Sequence, residues 1–294
     1  MSTALVATVL APRYAALLER CQPYVITART NLAHLELEPL GIPIPPQRRY
    51  DPTHSGSREI IDLLHTLDER SFGDQGMLMP RWVMFDCGEF PGVVVGLGCP
   101  ATDLDDELRH FYRLEAHPDL AKVWVPLSMW IAIPCAEPRT WFGHNLSSAN
   151  FLSTRRSRPG LGTLTKVMGV AVTGARFQIG ATQWDSSALG LHVSLGRPEL
   201  VSAWTPAHTH PATVVYRLQV DRGSLAARLG PEGLRLPESE GPSRTIVAGD
   251  EAAMRALHAE IEAGARFAIE RVETGESGES GSPQRVHLVE LRRS

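Results

Sequence analysis

Two arrangements of residues in this chain are of a type and spacing that can do chemistry. In "SRPGLGTLTKVMGVAV", residues 157–172, Gly160 and Gly162 stand two positions apart at the mouth of an apolar stripe. Leu161, Leu164, Val167, Met168, Ala171 and Val172 recur at helical spacing, which predicts a helix beginning near 160–163. The first turn of such a helix offers unpaired N–H groups and the positive end of the helix dipole, and glycines let phosphate oxygens approach the backbone. The expected anion cradle is Arg158, Gly160, Leu161, Gly162 and Thr163, with Arg155 and Arg156 adding charge. The same glycine pair is also ordinary turn chemistry. The second arrangement, "TPAHTHP", holds His208 and His210, whose H-x-H spacing on a strand would put both imidazoles on one face. With His144 or His192 that pair would suit zinc, so a metal-dependent hydrolase is a rival reading. The flanking prolines favour a turn instead, and no metal is expected.

These residues need elements to position them. "RYAALLERC" has helical spacing, and "GIPIPPQRRYDPTHSGS", residues 41–57, reads as a long loop. "SREIIDLLHTLDERSFG" is expected as an amphipathic helix, capped by Ser57 and stopped by Gly73. "RWVMFDCGEFPGVVVGLGC" reads as two strands around a turn at Glu89 to Gly92, and "DLDDELRHFYRLEAHPDL" as a helix. "VWVPLSMWIAI" and "TWFGHNLSSANF" read as strands preceding the glycine stretch. After it come a strand "RFQIGATQW", a short helix "SSALGLHVSLG" capped by Asp185, and the strands "ELVSAWTPAH" and "ATVVYRLQV". The fold class expected is α/β (α+β), a mixed, mainly antiparallel sheet flanked by helices. Residues 221–249 are rich in Gly, Pro and Ser and read as a linker or surface excursion. Residues 250–294 then form a helix-plus-hairpin appendage.

Composition narrows the function classes. At 294 residues, 43% hydrophobic and 21% charged, the chain can bury a substantial core in one large or two unequal domains. A net charge of −4 gives no reason to expect nucleic acid or an anionic membrane as partner. Cys21, Cys87, Cys99 and Cys135 are dispersed and form no CxxC pair, which fits reduced thiols and a cytoplasmic setting. The opening "MSTALVATVLAP" is too short to span a membrane and is expected as a first strand.

One downstream segment ties the glycine turn to a family. In "DSSALGLHVSLG", Asp185, Ala188, Leu191, His192 and Gly196 fall in register with the pattern N-x-x-A-x-x-L-Y-x-x-x-G-F. With the glycine turn upstream, residues 1–220 resemble the GNAT superfamily of acyl-CoA-dependent N-acyltransferases. The resemblance implies that acetyl-CoA or another acyl-CoA is co-substrate and that the glycine turn holds its pyrophosphate. It also implies a small-molecule amine as acceptor, with a homodimer as an option. It places the strand at His144, Asn145, Leu146 and Ser147 beside the thioester. His192, at the family's tyrosine position, would be the acid that reprotonates the thiolate, and His144 the base. Asn145, Trp184, Asp185 and Glu89 would line the acceptor. Because strand residues alternate faces, His144 and Asn145 are not expected to serve the same cleft. Ser157 stands where the family's loop opens with Arg or Gln. An acyl-CoA-binding module or acyl-thioester decarboxylase on the same fold is the alternative.

Overall fold

A computed structural model describes residues 9–89, 92–152, 158–237, 243–273 and 283–291. The chain divides into two compact units, one running to Ala175 and including Leu229–Pro231, the other made of the remainder. The division therefore falls well before the boundary expected at 220.

The first unit opens with α1 (Pro12–Arg20), whose Pro12 supplies a preset φ at a helix start, and continues directly into β1 (Gln22–Ile26). The strand expected in "MSTALVATVLAP" falls largely on residues outside those described; residues 9–11 form no strand. The loop at 41–57 is a run of single 3-10 turns around the two-residue β2 (Arg49–Tyr50). Helix α2 (Arg58–Phe72) follows, with Ser57 at its N-cap position but making no capping bond. Gly73 stays in right-handed helical conformation, and the turn ends only at Gly76, where φ is +67°. "RWVMFDCGE" is helix α3 (Arg81–Glu89) rather than a strand. Glu89 thus ends a helix instead of occupying a turn between strands, and its side chain lies outside those described. Then come β3 (Val93–Pro100), α4 (Asp106–Phe111), β4 (Trp124–Pro126), β5 (Ser128–Pro134), β6 (Thr140–Ser148) and α5 (Leu161–Val172). Only six residues of the long charged stretch become α4, capped by Asp105, which accepts from the Leu108 N–H.

Five of these strands order as β6-β5-β3-β1-β2, with β4 beside β3; all pairings are antiparallel except β1 with β2. Parity along β5 assigns the two faces. Ser128 and Trp130 point at α5, where the Ser128 hydroxyl meets Thr165 and the Trp130 ring lies against Gly169. The other face carries α2, which Asn145 of β6, the partner of Ile131, reaches. In α5, every residue except Gly162 and Thr163 is buried, so the sequence stripe marks only part of a helix enclosed nearly all round. Gly169 is required there: a Cβ would sit 2.1 Å from the Trp130 ring. Gly169→Ala should therefore lower stability by about 1–3 kcal/mol through overpacking, read as a lower denaturant midpoint at unchanged slope.

The second unit contains β7 (Phe177–Gln183), α6 (Ser187–Val193), β8 (Glu199–Ser202), β9 (Thr213–Gln219), α7 (Arg222–Leu229), β10 (Ser243–Val247), α8 (Glu251–Glu262), β11 (Phe267–Glu273) and β12 (Arg285–Glu290). Its strands order as β10-β12-β11-β8-β9-β7. The stretch 221–249 is thus not a plain linker, because it supplies α7 and an edge strand. The C-terminal segment is not a separate appendage either. Met254, Leu257, Phe267, Ile269, Val286 and Leu288 share one core with Trp184, Leu189, Leu200 and Val214. The cap of α6 is Ser186, which accepts from the Ala188 N–H, rather than Asp185. The fold is the expected mixed, mainly antiparallel α/β class. No helix among the described residues is long and apolar enough to cross a membrane.

Candidate functional site

Strand β6 departs from regular pairing at one residue. Ile131 pairs Asn145 and Ala132 pairs Gly143, so His144 is an extra residue on β6, a bulge opposite no partner. A bulge breaks the strict alternation of faces and re-aims its side chain. Here it overturns the expectation that His144 and Asn145 diverge: His144 Nδ1 lies 3.0 Å from Asn145 Oδ1. His144 itself is exposed.

The chain of contacts continues inward. Asn145 Nδ2 donates to Asp68 Oδ1 at 2.9 Å, and the Met79 N–H donates to Asp68 Oδ2 at 2.8 Å. Asp68 is fully buried on the sheet-facing side of α2. Burial raises its carboxyl above the usual range, while these two hydrogen bonds and the nearby histidines pull it back. As a carboxylate, Asp68 only accepts, so the Asn145 amide must turn its NH2 toward it and its carbonyl toward His144. The carbonyl in turn accepts from Nδ1–H of a neutral imidazole. That tautomer leaves the lone pair of His144 on Nε2. Three side chains from α2 and β6 thus set one exposed nitrogen as a proton acceptor.

Asp68 was not among the residues marked by sequence. The signal existed: Ile60, Leu63, Leu64 and Leu67 define the buried face of α2, and Asp68 occupies a position of that face where an apolar residue belongs. Lys166 carries no such signal, because it lies off the apolar stripe of α5 and is buried only by the helix's near-complete enclosure. It is 2% exposed in the middle of α5, with Nζ 5.1 Å from the Trp130 ring centroid, and burial lowers its ammonium to about 7.

On α5, Gly160 holds φ +89° above the Tyr14 ring, which a Cβ would meet at 2.7 Å. Gly160 offers this helix no capping side chain; the Leu161 N–H donates to the Arg158 carbonyl at 3.0 Å, and Gly162 and Thr163 are the partly exposed residues of the first turn. Arg158 is fixed by its backbone, donating its N–H to Asn150 Oδ1 and accepting from Asn150 Nδ2, both at 2.8 Å. The residues expected as a cradle, Arg158, Gly160, Leu161, Gly162 and Thr163, lie together at one helix start, whereas Arg155, Arg156 and Ser157 lie outside the described residues. Leu146 sits opposite Trp130, and buried Ser147 opposite Met129, on β6 next to the bulge.

The remaining marked residues belong to the second unit. His192 is 6% exposed, its ring 5.3 Å from that of Tyr216. Trp184 is a core residue whose Nε1 donates to the Ala203 carbonyl. Asp185 is exposed at the turn before α6. His208 and His210 lie in the turn between β8 and β9 rather than on a strand, and His208 Nδ1 accepts from the His210 backbone N–H at 3.0 Å. Among the described residues no three His, Cys, Asp or Glu side chains converge as a metal site.

No protein-family model matches the chain, and no curated protein does. Three solved structures are similar to it. One is the aminoglycoside 6'-acetyltransferase type Ii, at 14% identity and TM-score 0.36, covering 58% of this chain and 94% of that one. A second is described as an acetyltransferase of the GNAT family from Desulfovibrio desulfuricans, at 16% identity and TM-score 0.33, covering 53% and 92%. The third is the aminoglycoside 6'-N-acetyltransferase from Enterococcus faecium, at 11% and 0.32, covering 82% and 96%. All three are named as acetyltransferases, and the second title also names the GNAT family. Likenesses this distant leave the chemistry to be read from α2, β6 and α5.

Proposed function

We propose that the chain is an acyl-CoA-dependent N-acyltransferase acting on a small-molecule amine. The observation that carries the reading is the Asp68–Asn145–His144 chain, which ends in an exposed basic nitrogen on a bulge of β6. The sequence resemblance supplies the donor, and the uncapped, glycine-bearing start of α5 fits a pyrophosphate.

In this reading the amine nitrogen attacks the thioester carbonyl, the new C–N bond forms, and the C–S bond breaks. His144 Nε2 takes the proton that the amine loses, and the thiolate leaves to be reprotonated. Asn145 and Asp68 hold the imidazole in its productive tautomer and orientation. His192, walled in against Tyr216, is assigned to packing; the imidazolium formed at His144 is the group that returns the proton to the thiolate. No covalent enzyme intermediate is needed.

Incubation with acetyl-CoA and a panel of amines, followed by thiol release, tests the reading. Binding of the coenzyme without amine-dependent thiol release would favour the non-transferring module instead. Gly162→Asp places a carboxylate beside the phosphates in the first turn of α5. It should weaken coenzyme binding by at least about tenfold in direct titration. Unchanged affinity in that variant would remove the cradle from α5.

A further inference from the structure

A second cluster of polar groups lies on the same unit, outside the Asp68–Asn145–His144 chain. A cleft of about 240 Å³ opens between the loop before α2, the first turns of α2 and the start of α3. It is smaller than the roughly 300–1,000 Å³ of sites for drug-sized ligands and suits one small group. Its walls are unusual in chemistry. Arg58 and Arg81 both project into it, with side chains 83% and 53% exposed, and Ile61 and Phe85 supply apolar surface. His54 lines it too, and its Nδ1 accepts from the Gly56 N–H at 3.2 Å. In the neutral ring that bond leaves Nε2 as an N–H donor. The polar groups of the cleft are thus chiefly donors, and two are guanidinium forks of the kind that match a carboxylate. One acid, Asp62, pairs both arginines, to Arg58 at 3.8 Å and in close contact with Arg81. Thr53 of the lining donates to a second carboxylate, Asp51, which Arg29 faces in turn, so guanidiniums outnumber carboxylates around the cleft by one.

We propose that this cleft binds the carboxylate of the acceptor, so that the substrate class is an amine that also carries a carboxylate. The proposal rests on the acyltransferase reading for its amine end. Helix α2 gives the spacing. Asp62, at the cleft, and Asp68, at the inner end of the His144 chain, are six residues apart, about 9 Å along the axis. The segment leading into α3 runs beside it, with Met79 on Asp68 and Arg81 on Asp62. The separation along α2 favours an ω-amino acid, or a short peptide with its amine remote from its carboxylate.

Titration calorimetry on the full chain without coenzyme tests this directly, using 6-aminohexanoate, 6-aminohexanamide and inorganic phosphate. The expected result is that 6-aminohexanoate binds and its amide binds at least about tenfold more weakly. Arg81→Gln should weaken 6-aminohexanoate by a similar factor. Asp62→Asn should strengthen it, because it removes the competing carboxylate; a merely structural role for the cluster gives no such gain. Equal binding of acid and amide, or binding of phosphate but not of 6-aminohexanoate, overturns the proposal. Because no acyl donor is present, these outcomes are independent of thiol release. Carboxylate binding with no transfer would refute the acyltransferase reading alone. Transfer to amines with no preference for the acid would refute the carboxylate site alone.

Discussion

Replacing His144 by alanine should lower amine-dependent thiol release by about 10²–10⁴-fold, the range over which a positioned general base acts. Coenzyme affinity should be unchanged, because the proposed cradle is on α5 and not on β6. Asp68→Asn separates positioning from catalysis. An amide at 68 still accepts from Met79, but it can present NH2 to Asn145, which then turns its own NH2 toward His144. The imidazole is driven to the opposite tautomer, with Nε2 carrying the hydrogen, and the base is lost without any change at residue 144. The expected result is a fall in kcat of at least about tenfold with KM little altered, together with a displaced acidic limb of the pH–rate profile. A stable Asp68→Asn enzyme with wild-type kcat and pH profile would show that Asp68 is only a buried structural acid.

The second large effect is on stability. Lys166 is enclosed in α5 against the Trp130 ring, and burial brings its ammonium from 10.5 down to about 7. In the unfolded chain it titrates at the ordinary value. Above 10.5 the amine is neutral in both states and burial carries no charge penalty. As pH falls from 10.5 to about 7 the unfolded state takes up a proton that the folded state resists, so stability declines across that window and levels off below it. Lys166→Met keeps the length of the side chain and removes the charge. It should raise Tm at neutral pH by several degrees, at about 2–4 °C per kcal/mol, and flatten the slope of stability between pH 7 and 10.5. Thermal melts of both proteins at pH 7 and 10 check this. A parallel pH dependence in the variant would show that Lys166 is not the group responsible.

How much of this was legible beforehand depends on the physical range of each signal. The start of α5 was readable because Gly160, the apolar stripe and the helix they serve all lie within fifteen residues. Helix α2 was readable for the same reason, and its stripe even contained the sign of Asp68, a carboxylate on an apolar face. Helix α3 was misread because "RWVMFDCGE" carries apolar residues with no clear period, and its contacts with β3 and β5 decide its conformation. Residues 221–249 were misread because local Gly and Pro content outweighed the edge pairing of β10 with β12, a partner some forty residues away. The bulge was invisible in principle. An extra residue in a strand exists only relative to the register of its neighbour, and "TWFGHNLSS" alternates plausibly until Ile131 and Ala132 are laid beside it.

That register has a consequence for how the chemistry of this protein can vary. His144 is the one residue of β6 between Gly143 and Asn145 that the ladder does not count. Its side chain fills no core position, so the sheet tolerates exchange there at little cost to folding. The demanding parts, buried Asp68 and the helix-facing amide of Asn145, sit one step behind it. Reactivity and stability are thereby assigned to different residues, and a lineage can change the tip of the chain while the frame that aims it stays fixed.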